Sequence, residues 1–337
     1  MTKKKTGFNF WERNRLSNGY LLQKRVMKVA ISIIRAILLF GLCFLILQPV
    51  LNKISVSFME ERDLYDPIVV SIPRHFTIEN YTISANPEIM DYTVSLRNSF
   101  IVSLTIAMLQ IAMCTLVGYG FARFKFPFKK FWFAMVILII VIPPQTISSS
   151  LYLHFRFFDI FGIIEAINGE ALNLRASFIP YYLISAGCMG LKNGLYIYMV
   201  RQYFRNIPVD LEEAAYIDGC GTLKTFVRIM LPQAKPIITS CFLFAFVWQW
   251  TDSFYAKLFF QSVKLVSTQL SKIVASLSVF IARVQGGGSA QPATITLARS
   301  NQILSTGTLM IVFPVIFLYL FCQRQFVESI ASTGIKM

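Results

Sequence analysis

The amino-acid sequence predicts an all-α membrane protein with six transmembrane helices and one long polar loop on the cytoplasmic side. Of its 337 residues, 55% are hydrophobic and only 15% are charged, and the mean hydropathy is +0.58, a balance far from that of a soluble domain. Apolar windows of roughly twenty residues, long enough for a ~30 Å hydrocarbon core, recur near 31–51, 98–121, 131–151, 174–200, 237–260 and 303–322. The flanking charges then sort by side. An even number of spans puts both termini together, and the loops say where.

Residues 1–30 form a basic segment carrying Lys3, Lys4, Lys5, Arg13, Arg15, Lys24, Arg25 and Lys28, which belongs in the cytoplasm. It is too long for a signal-peptide n-region, and no small-x-small cleavage site follows the first apolar run, so the first span is expected to stay attached. Between spans one and two lie Glu60, Glu61, Asp63, Asp66, Glu79, Glu88 and Asp91, consistent with the outside; after span two come Arg123, Lys125, Lys129 and Lys130, consistent with the inside. The spans and their loops, 31–322, make up the membrane-spanning body, and 323–337 is a cytoplasmic tail. One loop dissents. After span five stand Lys257, Lys264, Lys272, Arg283 and Arg299, although this loop has to be external; positive charge in long translocated loops carries little weight.

Within the spans, polar and helix-breaking residues mark where a transport path would show. Pro143-Pro144-Gln145 interrupts span three, either kinking it beside a cavity, with Gln145 on the path, or ending it at the outer surface. Span four holds Gly187, Gly190, Lys192, Asn193 and Gly194. An ammonium near the bilayer centre costs about 2.5–3.5 kcal/mol, so Lys192, with Asn193, either lines a path or pairs with a partner acid, or else snorkels or sits at a break in a bent element. Span five ends in Trp248-Gln249-Trp250-Thr251-Asp252. Aromatic faces suit a ligand's C–H surface and Gln249 and Asp252 suit its hydroxyls, but Trp also forms interfacial belts, and both readings stand.

The segment 208–236 is polar between two apolar stretches. Pro208 suits the approach to a helix, Asp210 can cap it, and Glu213 can return a capping-box bond, predicting a short helix from about Leu211 to Asp218. Gly219 stands where a left-handed residue is wanted and Gly221 loosens the corner. Thr222 can cap a second helix with Leu223, Phe226, Met230 and Leu231 on one face, which Pro232 stops. Two short helices meeting at a glycine corner make a compact knob that a partner's groove can hold.

The run Glu213-Ala214-Ala215, then Asp218-Gly219, Leu231-Pro232 and Pro236 resembles the EAA loop of ABC-importer permeases, the coupling-helix loop over 201–236 that receives movement from the ATPase subunit. Arg201-Gln202-Tyr203-Phe204 with Ile207-Pro208, and Gln323-Arg324-Gln325-Phe326-Val327 through Gly334 and Lys336, extend the resemblance to the carbohydrate-uptake class, similar to the smaller maltose-permease subunit. It covers most of the chain from about Asn98 and is weak before that. The resemblance implies a sugar or oligosaccharide permease in the bacterial plasma membrane, paired with a second homologous permease. It further implies two ATPase subunits and an extracellular solute-binding protein as partners. Glu213, Ala214, Ala215, Asp218, Gly219 and Gly221 would dock the ATPase. A polyol or sugar-phosphate permease remains open, as does an ion-coupled carrier, although Asp252 is the one acid found near a span edge.

No G-x-x-x-x-G-K-[ST] occurs, so the expectation is that ATP is bound by a partner subunit and that this chain needs no cofactor. No G-x-S-x-G, H-E-x-x-H or paired-carboxylate site suggests an enzyme. Cys43, Cys114, Cys188, Cys220, Cys241 and Cys322 lack paired spacing and, with His75 and His154, predict neither disulfide nor metal site. The net charge of +15 reads as topology plus attraction to anionic lipid heads rather than to nucleic acid. Gly286-Gly287-Gly288-Ser289-Ala290 reads as a flexible external tip, or as a contact for the binding protein.

Overall fold

A computed structural model of the chain describes residues 15, 19–174, 177–260, 263–284 and 293–334, the side chains of 168 and 325–334 excepted. Lys3, Lys4, Lys5, Arg13, the 286–290 patch, Lys336 and the side chains of Gln325, Phe326 and Val327 lie outside the described residues. The described residues are mostly helical, with two isolated β-bridges and no longer strand. They divide into two compact units, 1–76 and 77–337.

In the first unit, α1 (Tyr20–Ser57) extends the predicted window at both ends and tolerates Pro49 inside it. Beyond it, Met59 bridges Phe76, and Phe58 stacks on Phe76 with ring centroids 4.8 Å apart. Asp63 is buried there, which works to raise its carboxyl. The His75 ring at 2.6 Å and the His75 and Arg74 amides outweigh that and hold it below the usual carboxylate range.

The second unit is built around α3. After the short α2 (Glu79–Ala85), α3 (Tyr92–Arg123) runs 32 residues. Its buried face carries Ser95, Ser99, Ser103, Gln110, Thr115 and Gly118 among apolar residues, the small and polar interface that helices in lipid use to approach closely. A Cβ on Gly118 would stand 2.9 Å from Val200 Cγ1. Along this face pack α7 (Asn193–Asn206) and α9 (Lys235–Thr251), and α12 (Leu297–Gly334) closes on α9. Between them come α4 (Lys129–Val141), α5 (Ser148–Arg156), α6 (Ile179–Ala186) and α8 (Asp210–Ile217); α10 (Phe254–Phe259) and α11 (Ile273–Val284) precede α12. Gly194 lets α7 touch α4, since a Cβ there would meet the Val136 carbonyl at 2.8 Å. Ile111, Cys114, Tyr119, Tyr196, Val200, Phe204, Cys241, Phe246 and Trp250 share one buried core.

Among the described residues, three single helices are long and apolar enough to cross a membrane, α1, α3 and 297–324 of α12, or up to five elements if each of two bent pairs is one crossing. The first bent pair is the predicted third span. It turns by 98° between 129–141 and 144–156, at Pro143 and Pro144, where missing N–H groups and a fixed φ end the first helix. The second joins 222–233 to α9 at 75°. The predicted fourth span, 174–200, is not one helix. It breaks into α6 and α7 because Cys188 (φ 57°) and Lys192 (φ 63°) take left-handed backbone that no α-helix admits.

Three cations of the dissenting basic loop have polar partners, two of them acids. Lys264 Nζ lies 2.7 Å from Asp91, Arg283 lies 2.9 Å from Glu88, and Arg299 donates to Asn80 Oδ1 at 2.8 Å. Those three partners lie at 80–91 before α3, so this stretch and the basic loop lie together within the second unit.

Candidate functional site

The predicted knob exists, with different caps. α8 starts at Asp210, and Val209 occupies the cap position in helical geometry, its carbonyl receiving the Glu212 and Glu213 amides; no side chain caps the helix. Asp210 is therefore not the cap and Glu213 closes no capping box, because the residue before the helix already has helical φ and ψ and leaves no extended cap position. Asp210, Glu212 and Glu213 in the first turn satisfy the helix dipole instead.

The corner is a Schellman motif. Gly219 takes φ 77°, its amide donates to Tyr216 O at 3.1 Å, and the Cys220 amide donates to Ala215 O at 2.9 Å. Gly221 is extended and takes the cap position predicted for Thr222, which begins the next helix. That helix passes through a π-turn at Phe226–Met230 and continues through Leu231–Gln233, so Pro232 does not stop it. Phe226 and Met230 are buried whereas Leu223 is exposed, so the predicted common face is not shared. Glu213, Ala214, Asp218, Gly219 and Gly221 are exposed and Ala215 is buried. Around them Ile217 and Leu223 stand 86% and 74% exposed, a polar knob with two bare apolar tips.

The predicted path residues separate into three places. Gln145 is exposed on the turn between α4 and α5. Lys192 is exposed at the break before α7, its ammonium 4.9 Å from the centre of the half-exposed Trp248 ring, a cation–π contact. Its neighbour Asn193 is buried, donating to Ser185 O at 3.3 Å. Counting 1.5 Å per residue along α7 puts Lys192 roughly 20 Å from the loop at Ile207, and Trp248 a similar distance along α9.

Gln249 and Asp252 are inward, in a chain that hydropathy does not reveal. Gln249 Nε2 donates to Gln110 Oε1 at 3.1 Å, Gln249 Oε1 accepts from the Tyr181 hydroxyl, and that hydroxyl lies 3.3 Å from Asp252 Oδ2. Asp252 also receives the amides of Phe254, Tyr255 and Ala256, capping α10. The void beside them, lined by Ser103, Tyr181, Gln249 and Asp252 among others, measures about 10 Å³ and has no room for a sugar ring. Trp250 is buried, its indole N–H donating to Ile311 O at 3.1 Å, so it belongs to the core and not to a belt.

Gln110, Tyr181, Tyr119, Arg123 and Glu212 were not singled out in the sequence as site residues. A glutamine in mid-span is the signal that Gln110 offers; Arg123 reads only as a topology charge. Among the described residues no group of three His, Cys, Asp or Glu side chains is placed to hold a metal ion, and the six cysteines are free thiols.

Residues 114–331 match the family model described as "Binding-protein-dependent transport system inner membrane component". Among similar proteins is a probable ABC transporter permease protein of Pyrococcus horikoshii, 33% identical over 198 residues, 58% of this chain and 66% of that one. The trehalose/maltose transport system permease protein MalG of Thermococcus litoralis is 25% identical over 315 residues, 94% of this chain and 99% of that one. Among solved structures, a bacterial ABC transporter involved in the import of the acidic polysaccharide alginate aligns with a TM-score of 0.61 at 15% identity, covering 88% of this chain and 97% of that chain, a likeness of fold.

Proposed function

Because the chain belongs to the family of binding-protein-dependent transport system inner membrane components, we propose that it is the permease subunit of an ATP-binding-cassette importer for a sugar or oligosaccharide. The observation that carries this reading is the exposed knob at 210–219, a Schellman-cornered helix lying inside the matched family region. The relatives that transport sugars support the cargo class. In this reading the chain is an integral plasma-membrane protein that crosses six times, the α6 and α7 pair making the fourth crossing. The 1–30 segment, the 201–236 coupling loop and the 323–337 tail lie in the cytoplasm. The permease pair sits on two ATPase subunits, one of which docks at Glu213 to Gly221 of this chain; a second homologous permease completes the pathway, and an extracellular solute-binding protein delivers the cargo. ATP closes the ATPase dimer, the knob moves with it, and the cavity opens outward.

Reconstitution tests it. The chain, its sister permease, ATPase and binding protein in liposomes should take up radiolabelled maltose, trehalose or alginate oligosaccharide only with ATP; uptake driven by an ion gradient without ATP would remove the reading. Orientation has its own test. In a cysteine-free background, Thr82→Cys should label from outside in intact cells and Thr222→Cys should not, since the basic and acidic loops assign those sides. The reverse pattern overturns the topology.

Lys192 is the exposed cation of the proposed path. An ammonium roughly 20 Å along α7 from the cytoplasmic loop is tolerated at an exposed position only where water, cargo or a sister acid meets it. Lys192→Leu should therefore cut uptake per assembled complex by about tenfold, a change of about 1.4 kcal/mol, while Lys192→Arg, which can also stack on Trp248, stays milder. Wild-type uptake by the Leu variant removes Lys192 from the path.

A further inference from the structure

Glu212 and Glu213 are neighbours with opposite surroundings. Glu213 faces solvent on the knob, whereas Glu212 turns inward, its side chain 7% exposed, with Oε1 3.2 Å from Arg123 Nε in the last turn of α3. The Arg123 side chain is 9% exposed, and its terminal nitrogen donates to Ile207 O at 2.8 Å, just before the knob. One turn up α3, the Tyr119 hydroxyl donates to the same Glu212 oxygen at 3.2 Å. The Tyr119 ring packs 5.2 Å from Phe204 and 4.7 Å from Phe226, aromatic residues on either side of the knob in the chain. The end of α3 is thus gripped before, within and after the knob.

We propose that the Arg123/Glu212 pair is the joint that hands displacement of the knob to α3, making Glu212 a positioning residue for transport, separate from the exposed docking side of the same helix. The inference rests on the reading of the knob as the ATPase dock. α3 suits the role of lever. It is continuous for 32 residues, its middle holds Gln110 of the buried polar chain, and Asp91 at its start pairs with Lys264. A buried ion pair is a poor choice for stability alone, because an apolar pair of similar volume commonly holds a buried contact as well or better. What the ions add is direction: Arg123 Nε faces Glu212 as an ion-pair contact without a hydrogen bond, while the charged hydrogen bonds from Arg123 to Ile207 O and from Tyr119 to Glu212 fix how the knob and α3 follow one another, where a greasy contact lets them slide.

That difference supplies the test. In the complete importer in liposomes, with radiolabelled maltose or trehalose as probe, Arg123→Met/Glu212→Leu should assemble and retain the ATPase at the wild-type ratio. It should lower sugar moved per ATP hydrolysed by about tenfold. The swap Arg123→Glu/Glu212→Arg, which keeps an ionic contact, should recover most of that loss. Wild-type sugar per ATP in the apolar variant overturns the joint, as does loss of the ATPase from that variant, which would make the pair part of the dock. Should the apolar pair fail to accumulate, Glu212→Gln reads the same ratio. A wild-type complex that moves neither probe with ATP would instead strike the importer reading itself, so the two failures are distinguishable.

Discussion

Replacing Gly219 by valine should abolish ATP-driven uptake while leaving the chain in the membrane. Gly219 holds φ 77°, and a Cβ there would meet nothing within 4 Å, so the cost lies wholly in the backbone. An L-residue in left-handed geometry costs about 1–2 kcal/mol, and a β-branched one more. The corner answers by leaving that conformation, which breaks the bonds from the Gly219 and Cys220 amides that close α8. A corner that opens re-aims Ile217 and Leu223, the two apolar tips. Gly219→Ala should fall between, since it carries the φ penalty without the branch. Glu213→Lys probes the same surface from the other side. Because Glu213 closes no capping box, its loss costs the helix only the dipole term of about 0.3–1 kcal/mol. A large fall in uptake would then report docking and not folding. Uptake and ATPase co-purification measured in parallel decide the matter: normal coupled uptake in both variants removes the dock at 210–221.

The parts of this fold that depend on composition, or on a residue type with a torsional preference of its own, were legible in the sequence, and the torsions that packing alone imposes were not. Hydropathy found the long helices around 31–51, 98–121 and 303–322, short of their true ends because terminal turns carry polar residues that a window averages away. The corner at Gly219 was legible because only glycine fits its φ without strain. The break in span four was not, since Cys188 and Lys192 adopt positive φ against their own preference, and only packing against neighbours can hold them there. The same limit governed the site. The proposed docking residues Glu213 and Gly219 were chosen on local spacing, whereas Glu212 meets Arg123 and Gln249 meets Gln110 only once α3, α8 and α9 are assembled. The Trp248 to Asp252 run was read as one patch. It is split by helical periodicity, Trp248 half-exposed beside Lys192 and Gln249 turned into the core.

Gln249 therefore carries the second large effect. Gln249→Leu keeps volume but removes both the acceptor for Tyr181 and the donor to Gln110. An orphaned buried polar group costs about 1–3 kcal/mol. Tyr181 still lies 3.3 Å from Asp252 Oδ2, so its loss is partly covered, and the full cost falls on Gln110 Oε1. The purified complex should melt several degrees lower, in line with about 1–3 kcal/mol, and less of it should assemble. Adding Gln110→Leu removes the other half of that bond, and replacing both partners of a buried hydrogen bond is far milder than replacing one; the double variant should regain most of the lost melting temperature. Uptake per assembled complex is the discriminating quantity. If Gln249 is scaffold, uptake per complex in the double variant returns near wild type along with stability. If Gln249 touches cargo, uptake stays lost while the melting temperature recovers, and the chain from Gln110 to Asp252 then serves to aim an amide into the path.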